Sequence, residues 1–409
     1  MRDEMDVAVI GGGSAGVCAA VAAAREGAHV VLFERSSHLG GMGVLAQVHT
    51  FCGLYHPDVT RPPVVVNPGL PAEIEAEMRA RTGQAAPVKM GRVYVLPQQP
   101  DVFDAIAKGL VAAEGSRLRL ELKTRCVGVD RADSGKFTVS FEGEDGMGSV
   151  LCQSVVDCSA DAIVAEFLGA TRMIHDRESL QRPASIVAFQ NVETDAVDER
   201  FRMRLALDLA HAVRDGLLPQ AALGISIRRS PTPGEVFVSM DLDSSSGDWD
   251  PTSWDARREI ESLGRELAVQ LRAFLIGKYA CFNGVSEPQF SQEIGVRESF
   301  RWLGEYTLTG EDLLSGKAFD DTVAWAAWPM ELRETTRGAR FQYFENSEPS
   351  GIPLRALTSC EIEGVFFAGR CISASHRALA SVRVMGTCFA TGQAAGKAAA
   401  QWAEARSRL

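Results

Sequence analysis

The nine cysteines of this chain stand singly, at 18, 52, 126, 152, 158, 281, 360, 371 and 388, and no Cys-x-x-Cys pair occurs. That absence removes the zinc-ribbon, dithiol-redox and ferredoxin-like readings, no metal site is expected, and an odd scatter suits buried thiols in a reducing compartment. Basic residues are in deficit: 42 Lys and Arg face 53 Asp and Glu, leaving a net charge of −11. Nucleic acid is therefore not an expected partner, because phosphate contacts need clustered cations. No apolar run approaches the length of a membrane span. The opening MRDEMDVAVIGGG enters a strand at once with no room for a signal peptide, so a cytoplasmic protein without membrane association is expected. Aromatic residues make up only 7%, but 46% of the chain is apolar and no tract is of low complexity, so it should be globular throughout. At 409 residues it is too long for most single cores, and two domains or one interrupted domain are expected.

The most legible stretch is DVAVIGGGSAGVCAAVAAAREGAHVVLFER, which reads as strand, glycine turn, helix and strand. Gly11-x-Gly13-x-x-Gly16 follows the first strand directly. The first glycine permits the turn, the second lets a pyrophosphate approach the backbone, and the third allows close packing of helix on strand. Ser14 and Ala15 open a helix whose free N–H groups and positive dipole end face the phosphates. Glu34 closes the second strand eighteen residues after Gly16, where a carboxylate can accept both hydroxyls of an adenosine ribose, and Arg35 follows it. In place of a third βα unit comes RSSHLGGMG, with a second glycine turn at Gly40–Gly41 and then Met42. Such a turn suits an extended cofactor that continues past its pyrophosphate, so FAD fits better than NAD.

Four segments carry a wider resemblance: 6–43, VVDCSADAIVAEFLGA at 155–170, IGVRESFRWLGEYTLTGEDL at 294–313, and GVFFAGRCISASHRALASVRVMGTCFATGQAAGKAAA at 364–400. Together they resemble the bacterial FAD-dependent oxidoreductase family, within the glutathione reductase and fumarate reductase flavoprotein group. The resemblance implies an α/β fold, with a Rossmann-like FAD-binding domain of the glutathione reductase type and an inserted α+β substrate or cap domain. The FAD-binding domain would comprise 1–171, with 56–100 contributing to the site wall, and 346–409; the cap would be 172–345. It further implies that Cys126 or Val127 presents backbone to adenine, and that Ser159, Ala160 and Asp161 stand where relatives carry Thr-Gly-Asp. Gly369 and Arg370 would complete the flavin site, while a helix beginning near Gly386 and Thr387 would point N–H groups at the N1/C2=O edge of the ring. The tract AAWPMELRE at 326–334 departs from many relatives, which makes substrate transfer from them unsafe.

Between the motifs, Asp101 is placed to cap a helix ending at Gly115, and strand-like alternation follows to residue 159. From 172 the pattern changes: ASIVAFQNVE and GEVFVSMDLD read as strands, ERFRMRLALDLAHAVRDG as a helix. A second helix carries Ile260, Leu263, Leu267, Leu271 and Phe274 on one stripe. Pro-rich 57–71 and Ser/Asp-rich 243–253 are the most loop-like tracts. No second Gly-x-Gly-x-x-Gly follows a strand, so a permanent NAD(P)H domain is not expected.

The expected reaction is hydride transfer between a small polar metabolite and flavin N5, with an unspecified electron partner. An FAD-dependent monooxygenase using NAD(P)H and a non-catalytic flavin-binding assembly or regulatory module remain as alternatives. His376 is the candidate to take or give a proton, its ordinary pKa suiting either, and fixing the loop is its bland role. Arg383 is placed to stabilise the reduced ring or hold an anionic substrate group. Arg297 and Glu298 are expected to pair with each other and shape the substrate side. Arg333, Arg337 and Arg340 read as a solvated face, and His49 and Tyr55 as residues able to line the ring. In the covalent-flavin relatives that the resemblance brings in, the attachment histidine lies nearer the position of Met42; its absence there implies noncovalent FAD, with His38, His49 and Cys52 left as possible attachment points.

Overall fold

The computed structural model describes residues 3–83, 85–243, 249–335 and 338–408; Arg337 and residues 244–248 of the Ser/Asp-rich tract lie outside them. Strand β1 (Asp3–Ile10) leads through the glycine turn into helix α1 (Ser14–Arg25) and strand β2 (Val30–Phe33). Helix α2 (Pro100–Ala113) begins at a proline, which has no N–H to leave unpaired, so Gln99 is its N-cap and Asp101 falls inside the first turn instead of capping it. Strands β3 (Leu118–Glu121), β4 (Arg125–Arg131), β5 (Phe137–Gly143) and β6 (Gly146–Asp157) follow. An inserted unit then contributes β7 (Ala184–Phe189), α3 (Glu199–Arg214), β8 (Ser226–Arg229), β9 (Val236–Asp241), α4 (Trp254–Lys278) and β10 (Gln289–Phe290). The chain returns through β11 (Met330–Leu332) and β12 (Val365–Phe367) and ends in α5 (His376–Val382) and α6 (Met385–Ser407).

The large sheet runs β3-β2-β1-β6-β5-β4, with β12 paired to the far end of β6. Strands β3, β2, β1, β6 and β12 are parallel, and β6-β5-β4 is an antiparallel meander. Both faces of the parallel part are covered, which is why these strands read as unbroken apolar runs. Val7, Val9, Val30 and Leu32 pack with α1 and α6; Ala8, Ile10, Val31 and Phe33 pack with Trp302, Phe367 and Leu357. Helix α6 crosses α1 at backbone contact: a Cβ on Gly392 would lie 2.1 Å from Ala15 O, and one on Gly396 would lie 2.0 Å from Ala19 O. Gly396→Ala is therefore expected to cost about 1–3 kcal/mol by overpacking, seen as a lower denaturant midpoint; an unchanged midpoint would refute the close crossing.

The inserted unit is a four-stranded antiparallel sheet of order β8-β9-β7-β10. Alternation sorts its side chains: Val187, Phe189, Ile227, Val236, Val238 and Met240 bury against Leu205 and Leu209 of α3 and Ile260, Leu267 and Leu271 of α4. Arg228, Phe237, Ser239 and Asp241 consequently fall on the opposite face. This unit's own core runs from Leu180 to Val296, whereas the segment from Trp302 to Leu357 packs on the large sheet. The independent core thus ends well before the expected boundary at 345. Among the described residues, no helix is long and apolar enough to cross a membrane.

Candidate active site

Gly11 holds φ +100°, and a Cβ there would lie 2.6 Å from Cys158 O, so the chain itself requires this glycine. Gly16 is equally constrained, since its Cβ would sit 1.7 Å from Gly11 O. Gly13 differs: its backbone is ordinary extended (φ −69°, ψ −176°), and a Cβ would meet only Gly41 Cα, at 3.9 Å. The second glycine turn folds onto the first, with Gly40 N–H donating to Gly12 O (2.8 Å) and Ser14 Oγ to Gly40 O (3.4 Å). Between them lies an open cradle floored by Gly13 and Gly41 at the start of α1. Ala15 abuts Gly369, whose Cβ would lie 2.9 Å from that of Ala15, and Met42 opens a single helical turn behind Gly41.

The Glu34 carboxylate accepts Gly12 N–H and Ser36 N–H, both at 2.7 Å, and retains lone pairs for further donors. Arg35 pairs with Glu293 of the inserted unit at 2.6 Å, near the Trp254 ring. Along β4 the register passes from Cys126 to Gly128, so Val127 has no partner across the strand, while the Cys126 side chain is buried. Asp161 is the hub of a further cluster, accepting from Arg370 (2.8 Å), Arg257 (2.9 Å) and Ser299 Oγ (2.6 Å). Burial pushes its carboxyl up, but Arg370 and Arg257 outweigh this and hold it below the ordinary value.

The open face of the inserted sheet meets this body where Phe237 stacks on His49 with ring centroids 3.4 Å apart. Burial pushes His49 down to about 4. Glu331 accepts Arg333 Nε (2.7 Å) and Trp328 Nε1 (3.0 Å). Burial raises its carboxyl, yet Arg333 and Arg383 outweigh burial and bring it to about 2. Asp241 binds both Arg297 (2.8 Å) and Arg333 (2.6 Å). Arg383 donates to Glu331 O (3.2 Å), leaves its buried Nε without a partner, and is lowered by burial to about 10.

Residues 6–408 match the model of a family described as FAD dependent oxidoreductase. The chain belongs to that family. FAD is the cofactor of this oxidoreductase, and the open cradle at Gly13 and Gly41 fits a pyrophosphate. No curated protein matches the chain. Similar solved structures include a geranylgeranyl bacteriochlorophyll reductase-like protein from Thermoplasma acidophilum, 14% identical over 100% of this chain and 83% of that one (TM-score 0.49). The OxyS anhydrotetracycline hydroxylase from Streptomyces rimosus is 15% identical over 71% of this chain and 51% of its own (TM-score 0.40). Aklavinone-11 hydroxylase, solved with FAD and aklavinone, is 16% identical over 98% and 61% (TM-score 0.40). The chain thus spans about half to three-fifths of these hydroxylases, and at such identities the likeness carries nothing about reaction or substrate.

Several expectations for the oxidoreductase need correction. Arg297 and Glu298 do not pair: they diverge, Arg297 to Asp241 and Glu298 to Arg301 (2.5 Å) and His376 (2.7 Å). Arg333 is no solvated residue but a largely buried clamp between Asp241 and Glu331, whereas Arg340 is exposed and reaches Glu334 at 3.2 Å. Gly386 gives its N–H to Cys52 O (2.9 Å) and so does not keep it for the ring, whereas Thr387, wholly buried beneath Gly53, has a hydroxyl without a partner among the described residues. Ser159 caps Asp157 with both its N–H and Oγ, and Ala160 takes φ +72°, the conformation for which relatives use glycine. Tyr55 is buried, donating to Glu75 (2.8 Å), and lines no ring. The sequence reading missed Arg228, Asp241, Arg257, Ser299, Arg301, Glu331 and Glu334, most of which sit in segments without motif spacing.

His376 opens α5, its ring stacked on His175 and both nitrogens engaged, Nδ1 with Glu298 (2.7 Å) and Nε2 with Glu334 (3.2 Å). Carboxylates only accept, so both nitrogens carry protons. Burial would push this imidazole down, but the two glutamates outweigh it and hold it above 6.5. Its proton is therefore held more tightly than that of a free imidazole, which suits a proton donor better than a base. A group raised on folding contributes stability that is full below its unfolded pKa and lost as pH rises through the folded one. Unfolding midpoints are expected to fall as pH rises through and above neutrality, with a flatter profile in His376→Asn. Parallel profiles for the two proteins would refute this.

Proposed function

We propose that this oxidoreductase moves a hydride between a small polar metabolite and the flavin at the junction of the FAD-binding body and the inserted sheet. The observation that carries the reading is the convergence of Arg297, Arg333 and Arg383 with Asp241 and Glu331 where the inserted sheet meets the FAD-binding body. Bound FAD supplies a two-electron carrier that takes or gives a hydride at N5. Gly13 and Gly41 leave the backbone bare for the pyrophosphate, and Glu34 turns its remaining lone pairs to the ribose. Arg383 stays cationic at neutral pH and supports negative charge on the ring or the substrate. His376, whose proton Glu298 and Glu334 help to hold, suits a donor better than a base, which favours the reductive direction. Cofactor attachment is noncovalent in this reading: burial pushes the Cys52 thiol up to about 12, and His38 is engaged by Asp104 at 2.9 Å.

Two measurements on the purified protein test this. Acid precipitation should leave the yellow colour in the supernatant, and an anaerobic screen should find small polar metabolites that exchange electrons with the flavin without NAD(P)H. A flavin that only NAD(P)H reduces would favour a monooxygenase and overturn the proposal.

A further inference from the structure

Strand β8 is the edge of the inserted sheet, and Arg228 stands opposite Phe237 in its register. Directly opposed residues share a face, and Phe237 stacks on His49 of the FAD-binding body. Arg228 therefore lies on the face turned toward that body. Its side chain is exposed to solvent, and Glu331, Arg333 and Arg202 are the charged groups that act on it.

The other arginines at this junction have partners. Arg297 and Arg333 are tied to Asp241, and Arg182 to Asp243 at 2.5 Å. Arg228 has no ion pair or hydrogen bond among the described residues. Arg383, which like Arg228 acts on Cys52 and Glu331, keeps a buried Nε without a partner among the described residues. Four guanidinium groups (Arg228, Arg297, Arg333, Arg383) thus act on or around two carboxylates, Asp241 and Glu331. The next carboxylate, Glu298, is taken up by Arg301 and His376. The cations outnumber the carboxylates that hold them, which leaves a guanidinium open to an anion from outside the chain.

Resting on the hydride-transfer reading above, we propose that Arg228, with the Nε edge of Arg383, binds an oxyanion of the substrate, a carboxylate or a phosphate. The substrate class is then acidic small metabolites, oriented by one arginine from each side of the junction. Planar guanidinium forks match such groups in two-point contacts.

The test uses the FAD-loaded protein with malonate, inorganic phosphate and the uncharged malonamide as probes. Binding is followed by melting temperature and by perturbation of the flavin visible spectrum. Malonate or phosphate is expected to bind and malonamide not, and whichever anion binds more tightly identifies the oxyanion. Arg228→Gln should weaken that binding about tenfold to a hundredfold, with Arg228→Lys recovering part of it. Flavin content should be unchanged in Arg228→Gln, and its ligand-free melting temperature unchanged or higher because a surplus charge is gone. Equal anion affinity in Arg228→Gln, no binding of either anion to the native chain, or a lower ligand-free melting temperature would each overturn the proposal. A flavin that no metabolite reduces would instead sink the hydride-transfer reading and leave the anion result standing.

Discussion

Gly13→Val is expected to give a folded, colourless protein. The backbone at Gly13 is extended in a region any residue adopts, and a Cβ there would meet nothing nearer than Gly41 Cα at 3.9 Å. Packing therefore does not require glycine at this position. Close approach of a pyrophosphate does, because branched carbons would fill the floor of the cradle. The expected loss of FAD affinity is about a hundredfold or more, ~2.7 kcal/mol, measured by flavin titration. The melting temperature should match that of the flavin-free native chain. Gly16→Ala is the contrasting variant: with Gly11 O only 1.7 Å from its Cβ, it should not yield a stable fold. A yellow Gly13→Val protein with native flavin content would show that the cofactor does not lie on this floor.

Glu298→Ala is expected to cost about 3–5 kcal/mol of folding stability. The carboxylate is fully buried and accepts from Arg301 Nη1 (2.5 Å), His376 Nδ1 (2.7 Å) and Gln181 N–H (3.2 Å). Its removal strands Arg301, which is only 4% exposed and already has an unpartnered Nε. Burial pushes the Glu298 carboxyl up, but His376 and Arg301 outweigh it and hold it below 4.5. Its contribution is thus present above the unfolded value and lost as pH falls through the folded one. Urea unfolding near neutral pH measures the loss, and a change under about 1 kcal/mol would refute the buried network. The same substitution removes the main support of the His376 proton, so the decline in stability above neutrality should flatten as well.

The geometry of the first strand–turn–helix unit was legible because it is local: Gly11, Gly13 and Gly16 lie in one turn between β1 and α1, and Glu34 follows β2, so spacing alone placed them. The charged clusters were not. Arg297 and Glu298 are neighbours in sequence, yet their partners lie 56 and 78 residues away. The Arg333–Asp241 contact spans 92 residues and Arg370–Asp161 spans 209. No periodicity links such positions.

By itself, then, the sequence determined the glycine turn between β1 and α1, the parallel strands buried on both faces, and the amphipathic helices of the inserted unit. These follow from backbone freedom at glycine and from apolar repeats within a few turns or pleats. Only the tertiary structure decided which charges come together: that His376 sits between two glutamates, that Arg333 is a buried clamp, and that Arg228 lies on the open sheet face without an ion pair among the described residues. The reason is physical. A charged side chain has no intrinsic preference among possible partners until packing removes water from some of them, and that packing joins segments far apart in the chain.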